Sequence, residues 1–231
     1  MIKTVAPASS LRGELTLPPD KSISQRAAIF SLLHDGISEV GNYSQAQDPQ
    51  STLSCVQQLG AEVKEENGKL IIKGTGREGI QEPAKDLDCG NSGTAMRLLS
   101  GVLVGAGVSA KLVGDESLCG RTMTRIINPL EKMGAHILAR NSAYAPLFIV
   151  HDRKIISASL ADEVPNQSYT IPGDFSAAAF WLVAAAIQKD AEIKIENVGL
   201  NPTRNALLDI LGEMGADITI ENERMEGAEP A

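Results

Sequence analysis

Two segments of the chain carry residue types that can hold an anion. The first contains Lys21, Ser22 and Arg26, at the start of an apolar run with helical spacing. Unpaired backbone N–H groups and the positive end of the helix dipole favour an anion at such a start, and the serine adds a hydroxyl donor. The residues therefore suit a phosphate or carboxylate pocket. Their spacing supports equally well a capped helix with two solvated cations.

The second segment has the same chemistry further along the chain. Asn91 and Thr94 offer polar side chains at the start of another apolar run, and Gly93 lets a ligand approach the backbone closely. Helix capping alone accounts for these three residues without a ligand. Arg97 favours a ligand, because a guanidinium inside an otherwise apolar helix needs an anionic partner. Arg121 opens a later helix, where it either reaches a ligand or pairs with the neighbouring acids.

An internal repeat positions these segments. Three related strings occur, LGAEV, MGAHI and MGADI, in which Gly60, Gly134 and Gly215 stand where a helix ends in the left-handed conformation. Upstream of each string, a polar turn opens an apolar run. Each copy therefore predicts a strand, an apolar helix, another strand, a second helix that ends at the glycine, and further strands.

The repeat predicts an α/β protein whose apolar helices are enclosed by outward-facing sheets. We expect three units, at 1–80, 81–152 and 153–231, which together form one compact domain. The helix at 175–187 is apolar on nearly every face, so that we expect it to be buried all round. The run at 95–104 is similar but carries Arg97, and we expect the first helix of every unit to be buried. The second helix of each unit should be more exposed.

Composition and charge narrow the classes of function. The chain has 21 lysines and arginines against 29 aspartates and glutamates, which gives a formal net charge of −8 and a pI near 5.0. A surface of this sign disfavours nonspecific binding to nucleic acid or to anionic membranes. The most apolar stretches are too short to span a bilayer, and the three widely spaced cysteines fit neither a disulfide framework nor a zinc site. We therefore expect a cytoplasmic protein with reduced thiols and no metal site.

With these residues considered together, the sequence resembles the 5-enolpyruvylshikimate-3-phosphate synthases. The resemblance covers nearly the whole chain and rests on the strings LPPDKSISQRA, DCGNSGTAMRLLSG, GDESLCGRTMTR and IPGDFSAAAF. It implies βαβαββ units with buried helices, and transfer of the enolpyruvyl group of phosphoenolpyruvate to the 5-hydroxyl of shikimate 3-phosphate with release of phosphate. It implies no metal and no organic cofactor, and it places the protein in aromatic amino-acid biosynthesis.

The resemblance also implies roles for single residues. Lys21 corresponds to the lysine that touches both substrates, and Ser22 and Arg26 correspond to ligands of shikimate 3-phosphate. The phosphoenolpyruvate side, where glyphosate competes, corresponds to Asn91, Gly93 and Arg121, with Thr94 and Arg97 in support. Asp48, near the ligand side of the first unit, is a further supporting candidate.

Larger departures from the family pattern concern whole units. The segment between Val150 and Tyr169 lacks a unit that the family has, and the chain stops at Ala231, where family members continue. The acidic acid/base residues of the family have no counterpart, so that the catalytic residues are unknown.

Smaller departures concern single positions near the expected site. Gln25 replaces a usual histidine, and Cys119 and Gly120 replace usual basic residues.

We therefore expect a shortened form of the enzyme that is incomplete for catalysis. The alternative is a noncatalytic half-domain that binds shikimate 3-phosphate or another anion. An exposed surface between domains also leaves self-association open.

Overall fold

The computed structural model describes residues 10–151, 168–226 and 229–231, and these follow the alternation of helices and strands that the repeat predicts. The helices are α1 Lys21–Leu33, α2 Gln47–Gln58, α3 Gly93–Ala106, α4 Glu116–Cys119, α5 Thr124–Lys132, α6 Phe175–Ile187 and α7 Ala206–Glu213. The strands are β1 Arg12–Thr16, β2 Ile37–Gly41, β3 Glu62–Glu66, β4 Lys69–Lys73, β5 Leu87–Asp88, β6 Ala110–Val113, β7 His136–Arg140, β8 Tyr144–Val150, β9 Ser168–Thr170, β10 Glu192–Glu196, β11 Met225–Glu226 and β12 Glu229–Pro230.

Two compact units divide the chain. The larger unit runs from Lys21 to Thr170, and the smaller unit joins the residues up to Asp20 with those from Ile171 onward. Strand β1 therefore belongs to the same unit as α6 and α7. The repeat boundaries after residues 80 and 152, and the union of all three copies in one domain, stay predictions.

The larger unit has two four-stranded sheets of the same topology. Their orders are β3-β4-β2-β9 and β7-β8-β6-β5. In each sheet a β-hairpin, β3–β4 or β7–β8, pairs antiparallel with the strand that follows an apolar helix, and the fourth strand is parallel to that strand. Leu70 and Ile72 of β4 are buried whereas Lys69 and Lys73 are exposed, which is the alternation that gives a sheet one face for the core. The first two copies of the repeat therefore fold alike.

Helices α1 and α3 form the core of the larger unit. Ala27, Ala28 and Leu32 of α1 are buried, and so are Met96 and Leu99 of α3. The alanines let α1 approach α2 and α3, which it contacts, because the distance between helix axes depends on the side chains at the contact. The predicted burial is thus confirmed for most of these two helices, whereas Phe30 of α1 is 48% exposed and Leu98 of α3 is 39% exposed.

Glycines end the second helix of each copy, as predicted. Gly60, Gly134 and Gly215 have φ values of +113°, +99° and +95°. Each glycine N–H donates to the carbonyl oxygen three residues earlier, and the next N–H donates to the carbonyl oxygen five residues earlier. This pair of bonds is the Schellman motif, which satisfies carbonyl groups that would otherwise lack partners.

The third copy departs from the prediction at its first helix. α6 forms as expected, and Phe175 and Ala178 are buried, but Phe180 is 79% exposed and Ile187 is 81% exposed. The prediction that residues 175–187 are buried all round is therefore wrong. A helix that is apolar on every face is buried only where neighbours cover every face. Within the smaller unit the main contacts of α6 are with α7 and β10, which leave much of its surface uncovered.

The strands of the third copy also differ from those of the first two. No strand forms at 217–220, directly after Gly215, although the repeat predicts one there. The smaller unit has instead a parallel pair, β1 with β10, and a short antiparallel pair, β11 with β12. The third copy therefore keeps the two helices of the repeat without its hairpin.

Candidate anion-binding site

The starts of α1, α2 and α3 are joined by one buried amide, that of Gln25. Its Nε2 group donates to the carbonyl oxygen of Asp48 (3.4 Å), to Thr52 Oγ1 (2.9 Å) and to Ser92 Oγ (2.5 Å). Asp48 and Thr52 belong to the first two turns of α2, and Ser92 is the N-cap of α3. The two predicted anion-binding segments are therefore neighbours in the fold.

Lys21 is the first residue of α1 and faces an acid of α2. Its Nζ lies 3.0 Å from Asp48 Oδ2, with 51% of the lysine side chain and 19% of the aspartate side chain exposed. A pair as exposed as this contributes about 0–1 kcal/mol to stability, because solvent screens it. The lysine is thus open to an anion that approaches the helix start.

Ser22 and Arg26 lie four residues apart on α1, and both are half-buried. Residues at this spacing are neighbours on one face of a helix, so that a hydroxyl and a guanidinium can act on one ligand. The first N–H groups of the helix lack intrahelical partners. They point out of the helix start, where they can donate hydrogen bonds to an anion. The structure places the predicted residues of the first segment within the first two turns of one helix.

Asn91 orients Arg121 and is itself oriented by Asp115. The Asn91 amide donates to the two carboxylate oxygens of Asp115, at 2.9 Å and 2.7 Å. Its Oδ1 accepts from Nη2 of Arg121 at 2.5 Å, and the same nitrogen lies 3.2 Å from Ser117 Oγ. These bonds place an exposed guanidinium beside the start of α3. A guanidinium fixed in this way can bind a carboxylate or a phosphate through two parallel hydrogen bonds.

The carboxylate of Asp115 also caps α4. Its Oδ1 accepts from the backbone N–H of Leu118 at 2.7 Å. This bond, together with the Asn91 amide and the charge of Arg121, lowers the pKa of Asp115 below its usual value. Asp115 is therefore ionised near neutral pH, in the form that accepts from Asn91.

Arg97 lies over the first turn of α3. Its Nη2 is 3.5 Å from the carbonyl oxygen of Thr122, and its Nε is buried with no hydrogen-bond partner among the described residues. A Cβ at Gly93 would lie 2.5 Å from Nη1 of Arg97. The guanidinium thus occupies the space beside Gly93 that the sequence argument gives to a ligand.

The cap of α3 is Ser92, whose Oγ accepts from the backbone N–H of Ala95 at 3.0 Å. Asn91 and Thr94, which the capping interpretation also used, are not needed for this role. Asn91 instead bonds to Asp115 and Arg121, and Thr94 is half-buried in the first turn of α3. The polar residues of the second segment are therefore divided between a cap and a separate hydrogen-bonded cluster.

Sequence reasoning did not assign a role to Gln25 or name Asp115 as the partner of Asn91. Asp115 had a local signal, because an aspartate just before a short apolar turn that includes Leu118 is typical of a helix cap. Gln25 had a weaker signal in the sequence, because an amide inside a helix that is otherwise buried and apolar must find hydrogen-bond partners. Neither signal says which residues the partners are.

Arg204 of the smaller unit is engaged in an ion pair. Its Nη1 lies 2.7 Å from Asp20 Oδ2, and its Nη2 is 3.1 Å from Ser176 Oγ. The Asp20 side chain is buried, and a buried carboxylate is stable only with such a partner. Arg204 is therefore bonded to groups of the smaller unit, and its removal would take an ionic partner from the buried Asp20 carboxylate.

Cys89 stands two residues before Asn91 in the chain. Cys89 follows β5 and is buried beside Cys55 of α2. A hydrogen bond with the Cys55 thiol and burial both raise the pKa of Cys89 above its usual value. A thiol in this state is protonated near neutral pH and unreactive.

Membrane-spanning helices and metal-binding clusters are both absent from the part of the chain that the structure describes. No helix in residues 10–151, 168–226 or 229–231 has the length and apolar character needed to cross a membrane. Within the same ranges, no group of three or more histidines, cysteines, aspartates and glutamates is placed to hold a metal ion.

Comparison with known proteins gives matches along nearly the whole chain. The family model described as EPSP synthase (3-phosphoshikimate 1-carboxyvinyltransferase) matches residues 5–167 and 160–230. Curated relatives include the 3-phosphoshikimate 1-carboxyvinyltransferases of Salinibacter ruber, 40% identical over 290 residues, and Herpetosiphon aurantiacus, 37% identical over 291 residues. Two solved structures of EPSP synthase from Acinetobacter baumannii match with TM-scores of 0.83 and 0.80, at 31% and 30% identity, and each match covers 96% of this chain.

The chain is shorter than these proteins. It spans 67% and 68% of the two curated relatives, and 63% and 64% of the two solved chains. The alignment with the Salinibacter protein is 290 residues long although this chain has 231, so that the relative has positions without a counterpart inside the aligned region. The family model matches in two parts, which overlap at residues 160–167. The break between the two parts falls between Val150 and Tyr169, where the sequence analysis predicts that a unit is missing.

Proposed function

The chain belongs to the EPSP synthase family, and we propose that its anion-binding site holds the two substrates of enolpyruvyl transfer, shikimate 3-phosphate and phosphoenolpyruvate. Its relatives are named for the transferase of the shikimate pathway, which serves aromatic amino-acid biosynthesis. The observation that carries the proposal is the meeting of three helix starts at Gln25. That meeting joins the helix start that carries Lys21 to the helix start that follows Asn91 through hydrogen bonds of one side chain.

The side of the site on α1 suits the phosphate of shikimate 3-phosphate. Lys21 supplies an exposed ammonium group, Ser22 a hydroxyl donor, and Arg26 a guanidinium on the same helix face as Ser22. Hydrogen bonds from charged donors to phosphate are short and about twice as strong as neutral ones. The positive end of the helix dipole adds to the positive potential at this helix start.

The side of the site at α3 suits phosphoenolpyruvate. Asn91 orients the guanidinium of Arg121, which can bind the carboxylate or the phosphate of this ligand. Gly93 and Thr94 line the first turn of α3 beside it, and Arg97 supplies a second guanidinium. An anion that accepts from Arg97 would give its buried Nε a partner.

The same site supports a noncatalytic alternative, in which the chain binds shikimate 3-phosphate without turning it over. Enolpyruvyl transfer needs a positioned acid/base group, because a carbon is protonated and a hydroxyl is deprotonated. The resemblance matches no acid of this chain to that group. Binding and catalysis by this chain therefore require separate tests.

Isothermal titration with shikimate 3-phosphate and with phosphoenolpyruvate tests the proposal. We expect saturable binding of each ligand by the parent chain. Arg121→Ala should weaken binding of phosphoenolpyruvate. Lys132→Ala, which removes an exposed cation at the end of α5, is the control for the loss of one charge and should leave both affinities unchanged. Absence of saturable heat with both ligands would refute the proposal.

The expected partners and location extend the proposal. The exposed residues Phe180 and Ile187 of α6 favour self-association. A biosynthetic enzyme of this family is expected in the cytoplasm. Both statements stay predictions.

A further inference from the structure

We propose that Gln25 is a positioning residue that sets the α1 side and the α3 side of the anion-binding site at a fixed separation. The inference rests on the proposed function, because it concerns how that site holds its two ligands. Gln25 touches neither ligand itself. It acts through the three helix starts to which its amide is bonded.

One side chain of α1 is bonded to two other helices. Gln25 is fully buried. Its Nε2 group has two hydrogens, and the two short bonds run to a hydroxyl of α2, at Thr52 (2.9 Å), and to the hydroxyl that caps α3, at Ser92 (2.5 Å). Thr52 in turn donates to the carbonyl oxygen of Asp48 at 3.0 Å. The bonds form a connected network, in which each member limits the movement of the next.

Two partners of Gln25, Asp48 and Ser92, adjoin residues of the proposed site. Lys21 stands one turn before Gln25 on α1, and Asp48 bonds to Lys21 through its carboxylate. Ser92 lies between Asn91 and Gly93 in the chain. A shift of the Gln25 amide would therefore move the α1 side and the α3 side relative to one another.

The role of the Gln25 amide lies in its donor group rather than in its oxygen. Gln25 Oε1 is buried and has no hydrogen-bond partner among the described residues. A methionine has nearly the same length and would fill the same space, so that Gln25→Met keeps the packing and removes the amide. The two donor bonds are what a methionine cannot supply.

The test compares Gln25→Met with Ile72→Ala, a core substitution on β4 that leaves the three helix starts unchanged. We expect Gln25→Met to lower the affinity for shikimate 3-phosphate and for phosphoenolpyruvate at least about tenfold each, because charge-assisted hydrogen bonds weaken steeply when donor and acceptor are misplaced. Ile72→Ala should lower the melting temperature and leave both affinities within about twofold of the parent, since it alters no hydrogen bond of the site. Gln25→His should recover most of the loss, because an imidazole N–H can donate to Ser92 Oγ.

Several outcomes would overturn the inference. Unchanged affinity in Gln25→Met, or an equal loss in Ile72→Ala, would mean that Gln25 is structural only. Loss of one ligand alone would refute a link between the two sides. If Gln25→Met does not fold, Thr52→Val takes its place, with the same tenfold loss expected for shikimate 3-phosphate and an unchanged affinity counting against the inference.

Failure of the proposed function gives a different result, because the parent chain would then bind neither ligand. In that case hydrogen exchange at the start of α3, residues 93–96, decides the inference. Faster exchange in Gln25→Met than in Ile72→Ala, at equal global stability, would support a positioning role. Equal exchange would overturn it.

Discussion

Lys21 and Asp48 act in opposite directions on an anion that binds at the start of α1. Their 3.0 Å contact means that the carboxylate cancels part of the field of the ammonium group. We predict that Lys21→Ala weakens binding of shikimate 3-phosphate by about 1–3 kcal/mol, the range for a charge-assisted hydrogen bond. Asp48→Asn should strengthen it, because a neighbouring negative charge is removed.

Calorimetry measures both effects, and melting temperatures provide the control. Neither substitution should change stability much, since the lysine is 51% exposed. Weaker binding in both variants would show that Asp48 orients Lys21 rather than competing with the ligand for it. A large loss of stability in Lys21→Ala with unchanged affinity would make Lys21 a structural residue.

Asp115 makes the orientation of Asn91 depend on pH. The Leu118 N–H and the Asn91 amide lower the pKa of Asp115 below the usual 3.8. A carboxyl group whose pKa is lowered on folding stabilises the folded state above its unfolded pKa and loses that contribution as the pH falls through the folded pKa. We therefore predict that the Asn91 side-chain amide resonances stay constant above about pH 5 and shift only below about pH 4.

NMR titration checks this, with Asp115→Asn as the matched variant. The amide of that variant has no proton to gain in this range, so its Asn91 resonances should stay constant throughout. A shift that persists in Asp115→Asn would assign the titration to another carboxyl group and contradict the prediction.

At the scale of the element, alanine substitutions at two glycines distinguish the effect of backbone conformation on stability from the effect of packing. A Cβ would meet no atom within 4 Å at Gly134 or at Gly105. Gly134 has a φ of +99° after α5, whereas Gly105 is inside α3. We predict that Gly134→Ala destabilises the fold by about 1–2 kcal/mol through backbone strain. Gly105→Ala should stabilise it by about 0.5–1 kcal/mol, because alanine loses less entropy in a helix.

Chemical denaturation of both variants measures the difference in the free energy of unfolding. The two substitutions add the same methyl group, so that opposite signs can arise only from the backbone. Destabilisation by both would contradict the assignment of Gly105 to a regular helix interior.

The elements that sequence reasoning predicted correctly depend on local signals. The glycine ends of α2, α5 and α7 and the burial of α1 and α3 follow from residues that are close in the chain. The bonds of Gln25 do not, because Thr52 and Ser92 are 27 and 67 residues away. The exposure of α6 is also nonlocal, because composition shows that a helix is apolar but not which neighbours cover it.

At the scale of the whole molecule, charge limits how the site can act. The chain has a net charge of −8, so that its long-range field repels both anionic ligands. Lys21, Arg26 and Arg121 must therefore hold them through short contacts. Such contacts bind the ground state of a substrate, and they accelerate a reaction only where they become stronger in the transition state.

The last prediction concerns catalysis by the chain as it stands. Enolpyruvyl transfer requires a group that protonates the methylene carbon of phosphoenolpyruvate and one that accepts a hydroxyl proton. By resemblance, the family's acidic residues for this step have no counterpart here, and the chain spans less than the full length of its relatives. We predict that the 231-residue chain binds shikimate 3-phosphate yet releases no phosphate from phosphoenolpyruvate above the blank.

A phosphate-release assay with both substrates, and with Lys21→Met as the control, measures the rate of release. Steady release that needs both substrates and is abolished by Lys21→Met would contradict the prediction, and Asp48, 3.0 Å from Lys21, would then be the first acid to test as the missing group.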